Sequence, residues 1–436
     1  MEAHELTALQ AELTKAQEAY VARFPGDSGA RQPVHVVYGG AHLFKADTAQ
    51  KLGALSRQAL ATYAPDAASL AEALGLTRAT AERVYPRLVA KLEREPVEDL
   101  RIDFEDGYGH RSDDEEDGHA AAVGAQYAKA AREGLLPAFS GVRVKPMSAE
   151  LGVRAVRTLD LFLGAAGKDV GARLLVTLPK VVSVTQVELL ARSAVELERR
   201  HGLPAGTLRL ELMVEAPQSL FDEEGRALLP RLHAACAGRL HAAHFGTYDY
   251  TAALDITAAE QRMKHPACDF ARSMMKVAFA GTGVFVSDGA TTVMPVPVHR
   301  GAELTPAQQA DNRRAVHAAW RAAADDIRHS LANGFYQGWD LHPAQLVSRY
   351  GTVFSFFHEN LGPATERLAN FVKKLGQATL SGDVFDDAAT GQGLLNFFLR
   401  GLSCGALGEA ELAATGLTAE ELASRSFAII ARNRRR

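Results

Sequence analysis

The sequence predicts an α/β protein, a (β/α)8 TIM barrel with N-terminal helices and a C-terminal helical extension. Eight short β-rich segments alternate with helix-forming stretches rich in Ala, Leu, Arg and Glu, an alternation that is typical of parallel strands. After one long gap, the strand starts fall roughly 30 to 50 residues apart, as the repeating units of a barrel do. The 436 residues exceed the about 250 of a typical barrel, which leaves room for additions. An open doubly wound sheet is the alternative.

The composition is that of an ordinary globular protein with a sizeable core, since 47% of the residues are hydrophobic and 23% are charged. A net charge of -4 provides no basic field for nucleic acid. The cysteines Cys236, Cys268 and Cys404 are widely spaced and odd in number, which argues against a disulfide framework. We see no secretory signal and no apolar run near the roughly 18 residues of a membrane span. We therefore expect a cytoplasmic protein without nucleic-acid or membrane partners.

Each predicted strand is a short run of β-favouring residues that ends in a turn signal or a polar residue. The predicted strands are Pro33–Gly40, Leu100–Phe104, Gly141–Lys145, Arg173–Pro179, Arg209–Val214, Arg239–Phe245, Val284–Ser287 and, more weakly marked, Gly334–Leu341. A leading helix is predicted over Leu6–Phe24, because Leu6, Leu9, Leu13, Ala16 and Tyr20 recur at helical intervals.

The chain divides into three predicted parts. Residues 1–32 form an N-terminal helical segment, and residues 33–351 form the barrel with a helical insertion at about 45–98, including helices over Asp66–Leu76 and Thr77–Glu95. Residues 352–436 form a helical extension without strands, which we expect to lie over the catalytic face. Its predicted helices are Leu361–Leu375, Gly391–Leu402 and Thr418–Arg432.

Two carboxylates follow two otherwise apolar strands. Glu215 ends the run Leu210–Val214, and Asp249 follows His241–Phe245 after a short turn. Consecutive parallel strands would place both acids at the carboxyl edge of the barrel, where such folds keep their chemistry. Two carboxylates with open coordination positions suit Mg²⁺, or Mn²⁺, which shares its remaining sites with water and substrate. The alternative is that each acid caps the following helix.

The second and third strands end in charged residues. Glu105 and Asp106 follow Asp103 at the end of the second strand, and such a cluster needs a cation, a proton or an arginine partner. Arg143 lies near the end of the third strand, where a guanidinium can grip a carboxylate or stabilise an enolate oxygen. We assign catalytic roles to these three residues and substrate binding to Arg143.

The fourth and sixth strands add further candidates. Lys180 follows the fourth strand, where a Schiff base is conceivable, although a charge-steering or structural role is favoured beside a metal pair. Gly246 ends the sixth strand, and its missing side chain leaves room for a small ligand. We assign Gly246 and the adjoining Thr247 to substrate binding.

The ordered motifs IDFEDG, VRVKP, LPK, VEAP, FGTYD and GFYQGWDLHPAQL resemble those of the citrate lyase β-subunit and malyl-CoA lyase group of the HpcH/HpaI aldolase superfamily. The resemblance extends from about Val34 to Leu346. It implies a Mg²⁺-dependent TIM barrel that cleaves or forms carbon–carbon bonds in keto acid or acyl-CoA substrates. By this resemblance Glu215 and Asp249 are the metal ligands, Arg143 holds the keto acid or enolate, and Glu105 with Asp106 orders metal-bound water.

The same resemblance implies a lid and an oligomer. The segment Gly382–Asp387 is similar to a C-terminal lid whose aspartate reaches a neighbouring subunit, so Asp386 and Asp387 are lid candidates in a trimer or hexamer. The first strand departs from the group, because His35–Gly40 stands where an arginine-serine pair associated with CoA usually occurs. A free acid is therefore at least as well supported as a CoA thioester.

Two other functions remain open from the sequence. One is phosphoenolpyruvate-type phosphoryl or C–P transfer, which would need a phosphate cradle at the last strands, where Gly281–Gly283 and Gly289 give a weak match. The other is a non-catalytic binding barrel, in which one of the strand-end carboxylates would be missing. His42 is a further possible base, and His342 is interpreted as a structural residue that bonds backbone after the eighth strand.

Overall fold

Eight parallel strands close into a barrel in chain order, and the last strand pairs with the first. The structure, a computed structural model, describes residues 2–26, 28–301, 303–373, 379–381, 384–386 and 388–434. The barrel strands are β1 (His35–Gly40), β2 (Asp99–Asp103), β3 (Phe139–Arg143), β4 (Leu174–Leu178), β5 (Leu208–Val214), β6 (Leu240–Phe245), β7 (Phe285–Ala290) and β8 (Gln337–Asp340). The predicted TIM barrel is confirmed, and the open sheet is wrong.

Helices connect the strands and extend the barrel at both ends of the chain. The helices are α1 (Ala3–Arg23), α2 (Thr48–Tyr63), α3 (Ala67–Leu74), α4 (Arg78–Arg94), α5 (Asp113–Arg132), α6 (Gly152–Ala166), α7 (Val184–Arg200), α8 (Leu229–Ala235), α9 (Thr247–Ala252), α10 (Pro266–Phe279), α11 (Pro306–Ala332), α12 (Gln345–Lys373), α13 (Ala388–Ser403), α14 (Glu409–Ala413), α15 (Ala419–Ala423) and α16 (Phe427–Arg434). Short 3₁₀ helices cover Ala41–Leu43, Gly167–Val170, Pro217–Ser219 and Ala258–Glu260. Within the described part of the chain, none of the helices combines the length and the apolar character needed to cross a membrane.

Side-chain caps fix where several of these helices begin. In each case a short polar side chain accepts a hydrogen bond from the backbone N–H three residues later, which satisfies a donor that the first turn leaves free. The capping residues are Asp66 before α3, Thr77 before α4, Ser112 before α5, Ser183 before α7 and Thr305 before α11. Local sequence therefore sets these boundaries independently of tertiary packing.

The insertion between β1 and β2 contains α2, α3 and α4 and is part of the barrel's outer wall. Tyr350 of α12 donates a hydrogen bond to the carbonyl of Pro96 at 3.0 Å, after α4 has ended. Gly351 of α12 lies so close to α3 that an added Cβ would meet Leu74 Cδ1 at 2.5 Å. The extra helices thus pack against the helix that follows the last barrel strand.

The C-terminal extension differs from the prediction in three respects. Helix α12 already begins at Gln345, so the proposed division at 351/352 falls inside one continuous helix. The predicted helix Thr418–Arg432 is wrong, because α15 and α16 are separated at Arg425, whose φ of 53° interrupts helical geometry. A two-stranded antiparallel hairpin, β9 (Thr379–Ser381) and β10 (Val384–Asp386), is also present. Three-residue strands are too short to reveal an alternating pattern.

Contacts of the described C-terminal helices place them at the amino edge of the barrel. Arg400 of α13 hydrogen-bonds to Gln32, just before β1, at 3.3 Å. Arg425 donates to the carbonyl of Gly29 at 3.1 Å. The same Arg400 lines a small cavity with Gly281 and Gly334, which precede β7 and β8. Within one chain, these helices therefore do not cover the carboxyl edge as we had expected.

A buried ion-pair network fills the middle of the barrel. Arg101 of β2 donates to both carboxylate oxygens of Glu211 on β5, at 2.8 and 2.5 Å, and also contacts Asp99. Thr177 of β4 donates to Glu211 at 2.7 Å. Burial raises the pKa of Asp99 to about 6. Although burial would also raise the pKa of Glu211, Arg101 and His244 hold it well below its usual range.

Gly141 tests how tightly the strands pack. A Cβ at this position of β3 would lie 2.0 Å from the carbonyl oxygen of Leu175 on β4, a backbone atom that cannot move alone. We expect Gly141→Ala to lower the free energy of unfolding by roughly 3 kcal/mol, the upper part of the usual range for one substitution. Thermal unfolding followed by circular dichroism measures the change.

Gly118→Ala is the matched control, because Gly118 lies inside α5 with open space where the Cβ would be added. Removing a helical glycine should raise stability by about 0.5–1 kcal/mol. Equal stability of both variants would contradict the close approach of β3 and β4.

Candidate active site

Five charged residues converge at the carboxyl edge of the barrel. Glu105 and Asp106 follow β2, Lys180 follows β4, Glu215 follows β5, and Asp249 lies in the first turn of α9 after β6. The ammonium group of Lys180 lies 3.0 Å from Glu105, 3.6 Å from Asp106 and 3.4 Å from Asp249. The structure therefore brings together acids from three strand ends that the sequence placed at one edge.

Lys180 connects all these carboxylates. Its φ is 52°, a left-handed conformation that is uncommon outside glycine, and its backbone N–H donates to Glu215 Oε1 at 2.6 Å. Burial would lower the pKa of the Lys180 ammonium, but Glu215 and Glu105 raise it above its ordinary value. The cluster thus holds Lys180 in the charged form.

Glu215 is buried against Gly246. A Cβ on Gly246 would lie 2.5 Å from Glu215 Cβ and 2.7 Å from Glu215 Oε2, so the glycine makes room for this side chain. Burial raises the pKa of Glu215 to about 7, with Asp249 adding to the shift and Lys180 opposing it. A buried carboxylate whose charged form is disfavoured in this way is a group that an additional cation would stabilise.

Asp249 is half exposed and faces solvent at the rim, unlike Glu215. The adjoining Thr247 is buried, and its hydroxyl lies 3.1 Å from Met263 Sδ. Added bulk at Gly289 of β7 would collide with Thr247 Oγ1 at 2.3 Å. The start of α9 is therefore fixed by packing between β6 and β7, which holds Asp249 beside the β5 carboxylate.

Arg143 is held from two directions. Its Nε donates to Asp103 Oδ1 at 2.7 Å and its Nη2 to Asp103 Oδ2 at 2.5 Å, because the two residues are register partners at the ends of β2 and β3. The guanidinium also lies over the rings of Tyr38 and Trp339, 4.9 and 5.5 Å from their centroids. These contacts fix its plane.

One arm of Arg143 remains available. Nη1 is buried, lies 3.1 Å from Glu105 Oε2 and 3.7 Å from Asp106 Oδ2, and has no hydrogen bond of good geometry among the described residues. The indole nitrogen of Trp339 is likewise buried without a partner in the described part of the chain. Buried donors without acceptors are costly, so both are suited to an acceptor on a bound ligand.

The pKa values of Glu105 and Asp106 are shifted in opposite directions. Burial raises the pKa of Glu105, and the neighbouring Asp106 raises it further. Although burial also acts on Asp106, its interactions with Glu105, Arg143 and Lys180 lower the pKa of this carboxyl below the usual value. Opposite pKa shifts in neighbouring carboxyl groups are typical of sites in which one group acts as an acid and the other as a base.

The sequence reasoning placed Asp103 in the acidic cluster without assigning it a role, and it missed Tyr38 and Trp339 as parts of the site. Asp103 could have been paired with Arg143, since both end consecutive strands and parallel register then aligns them. The two aromatic residues come from β1 and β8, which meet only on barrel closure, with ring centroids 4.3 Å apart. No local pattern in the sequence indicates that contact.

Other predicted residues lie elsewhere. Gly281–Gly283 precede β7 and are at the amino edge, so they cannot form a phosphate cradle at the carboxyl edge. The imidazole of His42 packs against Tyr108, with ring centroids 5.7 Å apart. His342 accepts a hydrogen bond from the backbone of Ala344 at 3.1 Å, which confirms its structural role.

Of the two lid candidates, Asp386 ends β10, and Asp387 lies outside the described residues.

The donor set at the edge fits a magnesium ion. Among the described residues, no three His, Cys, Asp or Glu side chains are arranged around a single point as a complete protein-only metal site. Magnesium needs only one or two protein carboxylates and takes its other ligands from water and substrate. Glu215 and Asp249, which follow neighbouring strands, fit that requirement. The Lys180 ammonium 3.4 Å from Asp249, and the backbone N–H of Lys180 on Glu215, show that both acids already attract positive charge or donors.

Solved structures share the fold. A citrate lyase from Burkholderia xenovorans LB400 has 19% identity and a TM-score of 0.56, covering 88% of this chain and 97% of its own. CitE from Mycobacterium tuberculosis, in complex with magnesium, acetoacetate and coenzyme A, has 16% identity and a TM-score of 0.48, covering 86% and 99%. The magnesium and glyoxylate complex of Haloferax volcanii malate synthase has 15% identity and a TM-score of 0.44, covering 90% and 97%. The similarity to the citrate lyase structure confirms the resemblance to the citrate lyase group at the level of the fold.

Sequence comparison identifies the family. No curated protein matches the sequence significantly. Residues 13–430 match the family described as Domain of unknown function (DUF6986). Because this match spans nearly the whole chain, the protein belongs to the DUF6986 family.

Proposed function

We propose that the protein is a Mg²⁺-dependent carbon–carbon lyase or aldolase that acts on a 2-keto acid or hydroxy acid through an enolate. One observation carries the proposal: Glu105, Asp106 and Asp249 surround the ammonium group of Lys180 at the carboxyl edge, and Glu215 accepts a hydrogen bond from the backbone N–H of the same residue. Beside them, Nη1 of Arg143 lies 3.1 Å from Glu105 without a hydrogen bond of good geometry among the described residues. Barrel enzymes place their catalytic groups at this edge. The fold shared with citrate lyase agrees with this proposal.

Glu215 and Asp249 would hold the metal ion. When bound, Mg²⁺ supplies a Lewis acid that polarises the keto acid and neutralises charge on its oxygen. Glu215 is held in place by the backbone of Lys180 and by the space at Gly246, so its carboxylate is preorganised. Asp249 remains half exposed, which leaves a path for substrate beside it.

Arg143 would orient the substrate. Its Nε and Nη2 are committed to Asp103, and the rings of Tyr38 and Trp339 prevent rotation. The free Nη1 would donate to the oxygen on which negative charge develops as the carbon–carbon bond breaks. A donor that is fixed before the reaction stabilises the charge without reorganisation.

Asp106 and Glu105 would carry out the proton transfers of the reaction. In the cleavage direction, the ionised Asp106 takes the proton from the substrate hydroxyl, and that oxygen becomes the carbonyl of the departing fragment. The electrons of the broken carbon–carbon bond move into the enolate next to Arg143. Glu105, whose pKa burial raises, can return a proton to the enolate carbon. The opposite shifts of the two pKa values suit these two tasks.

Lys180 would act as a charge rather than as a nucleophile. A Schiff base requires a neutral amine, whereas the surrounding carboxylates raise the pKa of Lys180. Its ammonium would balance Glu105, Asp106 and Asp249 until substrate and metal bind. This role agrees with the charge-steering interpretation of the sequence.

The partners are proposed to be a small keto or hydroxy acid and further copies of the chain. A CoA thioester remains an alternative to the free acid. The segment 382–387 is proposed to close the mouth of a neighbouring copy's barrel, as in a trimer or hexamer. The described C-terminal helices lie at the amino edge of their own barrel, which agrees with this proposal. Asp386 and Asp387 remain the candidates for such a lid.

Deuterium exchange into pyruvate tests the function. If the site stabilises an enolate, the protein should catalyse Mg²⁺-dependent loss of the pyruvate methyl signal in D₂O, followed by proton NMR. Glu215→Gln and Asp249→Asn should each abolish the exchange and the binding of Mg²⁺ measured by isothermal titration calorimetry. Both variants should remain folded, because acids at the barrel mouth seldom support the core.

Glu224→Gln is the control, because this exposed carboxylate lies in the same β5–β6 connection and pairs with Arg226. It should leave exchange and metal affinity unchanged. Undiminished Mg²⁺ affinity in both site variants would refute the ligand assignment. Intact metal binding without exchange of pyruvate would refute enolate chemistry on this acid.

Arg143→Lys tests the oriented guanidinium. The variant keeps the charge but loses the fork to Asp103 and the fixed direction of Nη1, so exchange should fall by more than about tenfold while Mg²⁺ affinity changes little. Arg101→Lys is the matched control, because Arg101 is equally buried and forked but lies within the barrel below the site. Similar activity losses in both variants would indicate a loss of stability instead of a catalytic role.

The pKa of Glu215 predicts how pH affects the site. Because burial raises this pKa from 4.5 to about 7, a proton competes with Mg²⁺ below neutrality. Metal affinity should rise with pH and level off above about 7. In metal-free protein, stability should change with pH in the opposite direction to metal affinity. Because the folded state favours the neutral form of Glu215, the contribution of this residue to the free energy of unfolding is lost as pH rises through about 7.

Calorimetry at several pH values measures the first effect, and thermal unfolding without metal measures the second. Glu215→Gln should remove the pH-dependent loss of stability. Metal affinity that stays constant or falls between acidic and neutral pH would contradict the assignment.

A further inference from the structure

Helix α1 presents a row of apolar side chains to solvent. Every residue from His4 to Arg23 is exposed, including Leu6 at 50%, Leu13 at 56% and Tyr20 at 59% of their full surface. Helices in proteins gain most of their stability by packing an apolar face rather than from helix propensity. The predicted helix is confirmed, but its apolar face finds no cover within the described part of the chain.

The spacing of this row indicates what covers it. Leu6, Leu9, Leu13, Ala16 and Tyr20 are separated by three, four, three and four residues. That spacing is the two-position heptad seam of a coiled coil, which is narrower than the apolar face of a helix that packs on a globular core. A seam of this kind matches another helix with the same repeat.

The residues beside the seam favour pairing of α1 with α1 of a second copy. In a parallel pair, Glu5 would face the partner's Gln10, and Glu12 would face the partner's Gln17, so no like charges meet. An antiparallel pair that aligns Leu9 with the partner's Leu13 would instead place Glu12 opposite the partner's Glu12. Charge therefore selects the parallel arrangement.

We propose that two copies of this chain associate through a parallel two-stranded coiled coil formed by α1. The seam residues Leu6, Leu9, Leu13, Ala16 and Tyr20 form its core. This association is independent of the proposed lyase activity and adds an interface to the chain.

The attachment of α1 leaves the catalytic edge free. Just after the helix, the backbone N–H of Gly26 donates to the carbonyl of Gly281 at 2.8 Å, and Phe24 packs at the same place. Gly281 precedes β7, so this contact is at the amino edge, opposite Glu215 and Asp249. Pairing through α1 would therefore join two barrels without covering either mouth.

A second apolar surface, the groove between α6 and α7, is an alternative binding site for α1 of another copy. A groove of about 740 Å³ between α6 and α7 is lined by Met147, Val153, Val156 and Leu189. If α1 of another copy bound in this groove, its seam residues would not meet their own equivalents. Cysteine cross-linking separates the two arrangements.

Leu6→Cys and Leu13→Cys test the register, and Ala11→Cys on the opposite side of the helix is the control. The native cysteines Cys236, Cys268 and Cys404 are free and buried, so folded protein should not cross-link through them. We expect mild oxidation to give disulfide-linked dimers of both seam variants and monomers of the control. Cross-linking at Leu13 but not at Leu6 would overturn the parallel arrangement. Cross-linking at neither position, which the antiparallel pair and the groove between α6 and α7 both predict, would overturn the parallel coiled coil.

A pair of charge variants tests the interface without cysteine. Leu9→Glu combined with Leu13→Glu places acids in the seam, whereas Ala8→Glu combined with Ala11→Glu adds the same charge outside it. Sedimentation velocity should show that the seam variant has at most half the mass of wild type and that the control keeps the wild-type mass. Pyruvate exchange should be equal in all three proteins. An unchanged mass of the seam variant would refute the proposal.

Discussion

The balance of charge inside the barrel is the constraint on which the site depends. Each buried carboxylate needs a cation, since an uncompensated charge in the interior is strongly unfavourable. In the middle of the barrel, Arg101 donates to both Asp99 and Glu211, although burial still raises the pKa of Asp99 to about 6. At the mouth the excess of acids is larger, because four carboxylates share one ammonium group and one arm of an arginine that is already paired with Asp103. The raised pKa values of Glu215 and Glu105, caused first by burial, show where the deficit falls.

Two layers of the barrel therefore serve different purposes with similar residues. Arg101 and Arg143 are both buried and both grip a carboxylate with two nitrogens, but Arg101 has acceptors on every side. Arg143 is on the next strand, two residues closer to the carboxyl end than the register partner of Arg101. Its Nη1 therefore lies beside Glu105 and Asp106 at the mouth. Position along the strand, rather than residue type, separates the structural arginine from the one we propose to bind substrate.

Much of the fold could be predicted because strand ends carry strong local signals. Pro146, Pro217 and Gly246 mark where strands stop, and the acids beside those stops indicate the functional edge. The pairing of Tyr38 with Trp339 could not be predicted, because it follows from closure between β1 and β8. The break at Arg425 has no glycine or proline to announce it. The placement of Lys180 depends on a left-handed backbone conformation that its residue type does not suggest.

The helices added before and after the barrel are attached at its amino edge, away from the charged cluster at the carboxyl edge. Arg400 and Arg425 bring the described C-terminal helices to the amino edge, and Gly26 ties the end of α1 to that edge as well. Packing and proposed self-association are therefore concentrated where no catalytic group lies. The carboxyl edge can then retain a charge imbalance that would be unfavourable in a purely structural region. The cation that we propose for this edge would be attracted by the same uncompensated carboxylates that make the edge unfavourable to folding, so the cost of these charges and the proposed affinity have one physical origin.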